Sequence, residues 1–221
     1  MSLLKPLLPT VPSVQSHWRG GANIEIRHLD RGDVDVMTRL LEGLSARDRY
    51  LRFLAPMPRF PPRWVRTLAD ADGVRNVVLI AFQDDRPIGE GRFHRLTIES
   101  DAADLAVAVA SDQQQRGVGR ALVVALAVEA DRRGLSRFTV VVSPENAVVL
   151  SLLRRWGARL RLADRLVSGD VAVQAILAAE CSDNSSLNDA PTVERLPART
   201  LTFPASASRT ATSAARGSRQ G

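Results

Sequence analysis

The stretch LAVAVASDQQQRGVGR, residues 105–120, decides the fold. It predicts a short apolar strand, then a polar turn, then a helix that continues over residues 121–133. Gly117 and Gly119 let the backbone approach a ligand with no Cβ in the way. The first N–H groups of the helix have no intrahelical acceptor and are suited to a phosphate. The stretch therefore predicts an anion-binding turn between a strand and a helix.

Two glycines separated by one residue are also compatible with a tight turn that only packs a helix against a strand. A dinucleotide-binding G-x-G-x-x-G is absent because position 122 is leucine, and no Gly-Lys-Ser/Thr follows. Rossmann and nucleotide-hydrolysing sites are therefore disfavoured.

Around this stretch, the hydrophobic periodicity alternates between strands and helices. We predict strands at 24–28, 76–83, 86–96 and 138–142, helices at 31–44, 47–54, 63–69 and from 144 to about 156, and a terminal strand or hairpin from the apolar segments 166–167 and 171–176. The sequence shows no internal repeat.

Composition divides the 221 residues into three parts. Residues 1–21 have no periodicity and end in two glycines, so we predict a flexible N-terminal segment. Residues 181–221 are rich in Ser, Ala, Thr, Arg and Pro and poor in large apolar residues, which predicts a disordered tail. Residues 22–180 are expected to form one domain.

The net charge of +6 does not indicate a nucleic-acid-binding protein. The predicted domain is nearly balanced, with 23 arginines against 21 acidic residues, and most of the excess lies in the two end segments. A concentrated basic face with interleaved aromatics is lacking. We expect no nucleic-acid partner.

The sequence also argues against metal chemistry and membrane insertion. Cys181 is the only cysteine, and His17, His28 and His94 lack ligand spacing. No positively charged segment precedes Leu3, and prolines interrupt the only early apolar stretch. We expect a cytoplasmic protein with no metal and no membrane association.

Two motifs at matching spacing resemble the GNAT superfamily of N-acetyltransferases. Residues 114–119, QQRGVG, resemble its Q/R-x-x-G-x-G/A signature, and Asn146 with residues 152–158 resembles its downstream asparagine and helix region. Residues 43–53, GLSARDRYLRF, are similar to a segment of bacterial protein-lysine acetyltransferases. The likeness covers about residues 24–176. It implies an α/β (α+β) fold with a mixed, mostly antiparallel, splayed sheet flanked by helices on both faces.

The resemblance also implies acetyl-CoA as co-substrate. The pantetheine arm would pair with the strand, the turn would hold the pyrophosphate, and a backbone N–H at or near Val107 would stabilise the thioester oxyanion. Asn146 would contact the arm, cap its helix, or do both. The implied cofactor-binding residues are Val107, Ala108, Val109, Gln114, Gln115, Arg116, Gly117, Val118, Gly119, Arg120 and Asn146.

Acetyl transfer to an amine requires a proton acceptor, because a lysine ammonium has a pKa of about 10.4. Asp104 occupies the position where similar enzymes have a glutamate, and it could act through a water. Glu90 on the neighbouring strand is the alternative base, and Asp104 could also be a solvated strand end. The leaving-group tyrosine of many relatives is absent, which leaves water or Ser151.

Three functions are compatible with these residues. The first is acetylation of protein lysines by direct attack, and the second is acetylation of a small amine or a peptide N-terminus. The third is a catalytically weak acyl-CoA-binding sensor, since Asp104 and the missing tyrosine depart from the family pattern. The residues leave the acceptor, the acyl chain and the oligomeric state open.

Overall fold

The computed structural model describes residues 14–17 and 23–185, with side chains from 24 to 182. Eight strands form one sheet, and helices cover both of its faces. The strands are β1 (Val14–His17), β2 (Asn23–His28), β3 (Asn76–Gln83), β4 (Arg86–His94), β5 (Ala102–Val109), β6 (Arg137–Val142), β7 (Arg159–Ala163) and β8 (Leu166–Ala172). The helices are α1 (Val34–Glu42), α2 (Ala46–Phe53), α3 (Pro62–Leu68), α4 (Val118–Arg132), α5 (Ala147–Arg155) and α6 (Val173–Ser185).

The strand order is β1-β2-β3-β4-β5-β6-β8-β7, and only the β5–β6 pair is parallel. This pair joins just three residues of each strand, from Ala102↔Arg137 to Asp104↔Thr139. Beyond Asp104 the two strands diverge, and none of the described strands pairs with β5 on that side as far as Val109. The expected splayed, mostly antiparallel sheet is therefore confirmed.

Helix α4 packs tightly on one face of the sheet because two β4 glycines leave room for it. A Cβ on Gly91 would lie 2.9 Å from Leu126 Cδ1, and one on Gly89 would lie 2.9 Å from Leu122 Cδ1. Both leucines are fully buried. Helices α1 and α3 cover the other face, where Met37, among others, is completely buried. The hydrophobic core thus forms two layers, one on each face of the sheet.

The C-terminal end departs from the sequence prediction. The predicted strand at 171–176 is wrong beyond Ala172, because α6 begins at Val173 and runs to Ser185. Strand β7 was not predicted. Val173 and Ile176 are fully buried, so their apolar spacing reflects helix packing and not a strand.

Two described elements lie at the predicted domain boundaries, which stay a prediction. The predicted flexible segment 1–21 contains β1, which pairs with β2. The boundary at 180/181 falls within α6. The other residues of the two predicted end segments lie outside the described part. Among the described residues, no helix combines the length and apolarity that a membrane span requires.

Candidate functional site

The glycine turn has the conformation that its sequence predicts. A single 3₁₀ turn, Ser111–Gln113, follows β5, and α4 begins directly after Gly117. Gly117 has φ +85°, a left-handed conformation that favours glycine. Helix α4 starts three residues earlier than predicted, so Val118, Gly119 and Arg120 form its first turn. Their N–H groups lack acceptors within the helix and can bind an anion.

Gly119 faces the apolar edge of β5. A Cβ there would lie 3.5 Å from Val109 Cγ2 and 3.9 Å from Val107 Cγ1. These distances are ordinary contacts, so the space is open to a side chain in this structure. The absence of a Cβ keeps this space free beside the diverging strand.

The free side of β5 presents backbone donors to the gap between β5 and β6. The N–H of Ala110 donates to Ile88 O on the β4 side at 2.8 Å. Because alternate residues of a strand direct their polar groups to opposite sides, the N–H groups of Val109 and Val107 face β6, beyond the last paired residues of the two strands. The β5–β6 pairing ends at Asp104. This edge can therefore pair with an extended ligand that enters the gap.

One carbonyl of this edge is already in use. Gln114 Nε2 donates to Val109 O at 3.2 Å, which closes the turn against the end of β5. Asn146 caps α5, and its side chain accepts from Val149 N at 3.3 Å. The capping role considered for Asn146 is therefore present, and its second role towards a cofactor stays a prediction.

Asp104 is exposed and lies where the two strands separate. Its carboxylate accepts a hydrogen bond from Thr139 Oγ1 on β6. His94 is its partner across the β4–β5 register. Sequence analysis identified neither neighbour, because both are brought to Asp104 by strand pairing. The exposed carboxylate at the edge of the gap can accept a proton from an amine.

Glu90 has a different environment. It is completely buried, accepts a hydrogen bond from Arg92 Nε, and lies 3.7 Å from Arg52 Nη2. Burial acts to raise the pKa of Glu90, but the two guanidinium groups outweigh it and hold the pKa below its usual value. A buried, ionised carboxylate between two arginines is a poor proton acceptor.

The segment at residues 43–53 is attached to the glycine turn. Ser111 N donates to Gly43 O at 3.0 Å, Ser45 N donates to Ser111 Oγ at 2.8 Å, and Ser111 Oγ donates to Asp48. Partial burial acts to raise the pKa of Asp48, but hydrogen bonds from Ser111, Ser45 and Gln114 hold it below its usual value. Helix α2 and the turn are therefore one connected unit.

A final contact reaches the turn from the C-terminal helix. Glu180 of α6 accepts from Arg120 Nε through Oε1 at 2.9 Å and Oε2 at 2.8 Å. Oε1 also accepts from Trp156 Nε1 at 3.0 Å. Trp156 is 2% exposed and packs into the core at the end of α5. No sequence motif indicated Glu180.

The chain resembles known proteins both in sequence and in fold. Residues 44–158, just over half of the chain, match the acetyltransferase (GNAT) family. The GNAT domain of S. lividans PAT superposes with a TM-score of 0.68 at 27% identity, over 72% of this chain and 96% of that domain.

Two further solved structures share the fold at lower identity. A cAMP-binding acyltransferase from Mycobacterium smegmatis superposes with a TM-score of 0.53 at 21% identity, over 76% of this chain and 55% of the other. This chain thus spans about half the length of the mycobacterial protein. Spermidine N-acetyltransferase from Vibrio cholerae, solved with CoA and spermine, has a TM-score of 0.56 at 15% identity, over 70% of this chain and 98% of the other.

Proposed function

Because this chain belongs to the GNAT acetyltransferase family, we propose that it transfers an acetyl group from acetyl-CoA to a primary amine. The observation that carries the proposal is the edge of β5 beside the glycine turn, which pairs with no described strand beyond Asp104. A protein lysine is the acceptor we favour, since residues 43–53 are similar to protein-lysine acetyltransferases and α2 is bonded to the turn.

The residues at the gap fit acetyl-CoA. The first-turn N–H groups of α4 are suited to the pyrophosphate, and the β5 edge is suited to the amide groups of the pantetheine arm. Gly119 leaves the space between them free of a side chain. When bound, acetyl-CoA supplies the thioester whose acetyl group is transferred.

In the proposed reaction Asp104 removes a proton from the acceptor ammonium, directly or through a water. The neutral amine then forms a bond to the acetyl carbon as the carbon–sulfur bond breaks. The N–H of Val107, which faces the gap, donates to the oxygen on which negative charge develops. Tyr50, the only tyrosine, lies in α2 and outside the helix where relatives have one. The second proton lost by the amine nitrogen passes to the leaving thiolate through water or the exposed Ser151.

The Asp104 hydrogen bond from Thr139 supports this assignment, because it orients the carboxylate at the edge of the gap. Glu90 was the alternative base. Its burial between Arg92 and Arg52 favours a structural role instead.

The function is tested by thiol release from acetyl-CoA with three acceptors: a lysine peptide blocked at its N-terminus, a lysine-free peptide with a free N-terminus, and spermidine. We expect the blocked lysine peptide to react fastest. Asp104→Asn should lower its turnover by roughly 100- to 10,000-fold with acetyl-CoA affinity nearly unchanged.

Asp101→Asn is the matched control, because Asp101 lies three residues earlier and its carboxylate pairs with Ser136 and Arg137. Turnover equal to wild type in Asp104→Asn would exclude Asp104 as the base. Faster turnover of spermidine or of the free N-terminus would exclude the protein-lysine assignment. Acetyl-CoA binding with no turnover on any acceptor would indicate a sensor module.

A further inference from the structure

Helix α6 brings a negative charge to the turn that we propose binds phosphates. The single Nε–H of Arg120 donates to both carboxylate oxygens of Glu180, and Arg120 is the third residue of α4. Arg120 is also one of the residues that the family resemblance assigns to pyrophosphate binding. A carboxylate therefore binds the guanidinium at the turn where we propose that the cofactor phosphates lie.

The contact is built into the core packing. Val173 and Ile176 anchor α6 and are fully buried, and Trp156 donates to the same Glu180 carboxylate. The Glu180 side chain is 17% exposed and that of Arg120 is 34% exposed. Because both side chains are partly buried, their attraction is screened less than that of a fully exposed pair.

A phosphate and a carboxylate bind a guanidinium in the same way, through charge-assisted hydrogen bonds to its planar N–H groups. The two anions also repel each other where both lie close to the first turn of one helix. Glu180 thus opposes a phosphate at this turn in two ways, by holding Arg120 and by its own charge.

We propose that Glu180 is an internal anion that competes with the phosphates of acetyl-CoA for Arg120. Cofactor binding and docking of the last turns of α6 then oppose each other. By thermodynamic linkage, a partner that displaces the end of α6 raises the affinity for the cofactor. The size of this increase is set by how much more tightly the cofactor binds the displaced state than the docked state. This inference rests on the proposed acetyl-CoA site.

The first test compares Glu180→Gln with wild type in the full chain by isothermal titration with acetyl-CoA. Glutamine keeps the shape of the side chain and removes its charge. We expect the Kd to fall by about tenfold, and the difference to shrink as salt is added. S-acetylpantetheine, which lacks the phosphates, should bind both proteins equally.

Asp70→Asn is the matched control. Asp70 also accepts from an arginine Nε, that of Arg31 at 2.8 Å, but this pair is exposed and lies on the α1–α3 side of the sheet. Its acetyl-CoA affinity should equal that of wild type. An unchanged or higher Kd in Glu180→Gln would overturn the competition.

A second measurement requires no variant. Amide hydrogen exchange over residues 177–185 of the wild-type chain should become faster on saturation with acetyl-CoA, because Glu180 loses its contact with Arg120. Slower or unchanged exchange would overturn the inference while leaving the proposed function intact. A wild-type chain that binds no acetyl-CoA would overturn both proposals together.

Discussion

Replacing Glu90 by glutamine should destabilise the fold, because the charge of Glu90 compensates two buried arginines. Glu90 is completely buried, and the Arg52 and Arg92 side chains are only 12% and 11% exposed. Arg92 Nη2 additionally donates to Leu68 O at 2.9 Å, at the end of α3. The cluster therefore joins β4 to α2 and α3. Glutamine preserves the volume and removes only the compensating charge.

The magnitude follows from this burial. Breaking a buried ion pair by removing one partner costs about 3–5 kcal/mol, and we take the lower end because glutamine retains an oxygen acceptor. For a domain of this size, each kcal/mol lowers the melting temperature by about 2–4 °C. The expected loss is thus about 6–12 °C.

Thermal unfolding followed by circular dichroism measures this loss, with Glu42→Gln as the control. Glu42 is exposed at the end of α1, so its replacement should change the melting temperature by less than about 2 °C. Thiol release at a temperature where the variant is folded should remain within an order of magnitude of wild type. A variant as stable as wild type but lacking turnover would refute the structural role and make Glu90 the base.

The stability difference should also depend on pH. The folded-state pKa of Glu90 lies below its usual value, so its contribution is complete above the unfolded-state pKa and is lost as the pH falls through the folded value. The difference in free energy of unfolding between wild type and Glu90→Gln should therefore become smaller as the pH is lowered below about 4. A stability difference that grows as the pH is lowered would contradict a lowered pKa for Glu90.

Three other predictions concern the turn and the two ends of the chain. Gly119→Val should abolish the rise in melting temperature that acetyl-CoA causes in wild type, while the variant alone remains folded, because a Cβ at this position meets only ordinary contacts. A persistent rise would refute the turn as the cofactor site. Prolonged incubation with acetyl-CoA should add at most one or two acetyl groups in intact-mass spectra, because Lys5 and the α-amine are the only primary amines; three or more would be incompatible with N-acetylation alone. Truncation after Ser185 should leave the melting temperature within about 2 °C of wild type. Truncation before Val173 should lower it strongly, because Val173 and Ile176 are core residues. Equal stability of the two truncated proteins would refute the packing of α6.

Local patterns predicted much of the chain correctly. The predicted strand at 76–83 has the same bounds in the structure, and a left-handed Asp84-Asp85 turn joins it to β4. Asn146 begins α5 as a cap, and Gly157 follows it with φ +72°. These features depend on periodicity, capping and backbone freedom within a few residues. The same local rules failed at residues 173–176, where short apolar spacing fits a strand and a buried helix equally.

By itself, the sequence determined the strand, turn and helix at residues 105–120, since their chemistry is contained in neighbouring residues. It left Asp104 and Glu90 as competing bases and contained no sign of Glu180. Only the tertiary structure gives the two carboxylates different environments, because strand pairing brings Thr139 to Asp104 and helix packing brings Arg52 to Glu90. Helix packing also brings Glu180 to Arg120. Residues 35 to 60 positions apart meet in these contacts. Their electrostatic environment depends on burial and register, which no local pattern of residues encodes.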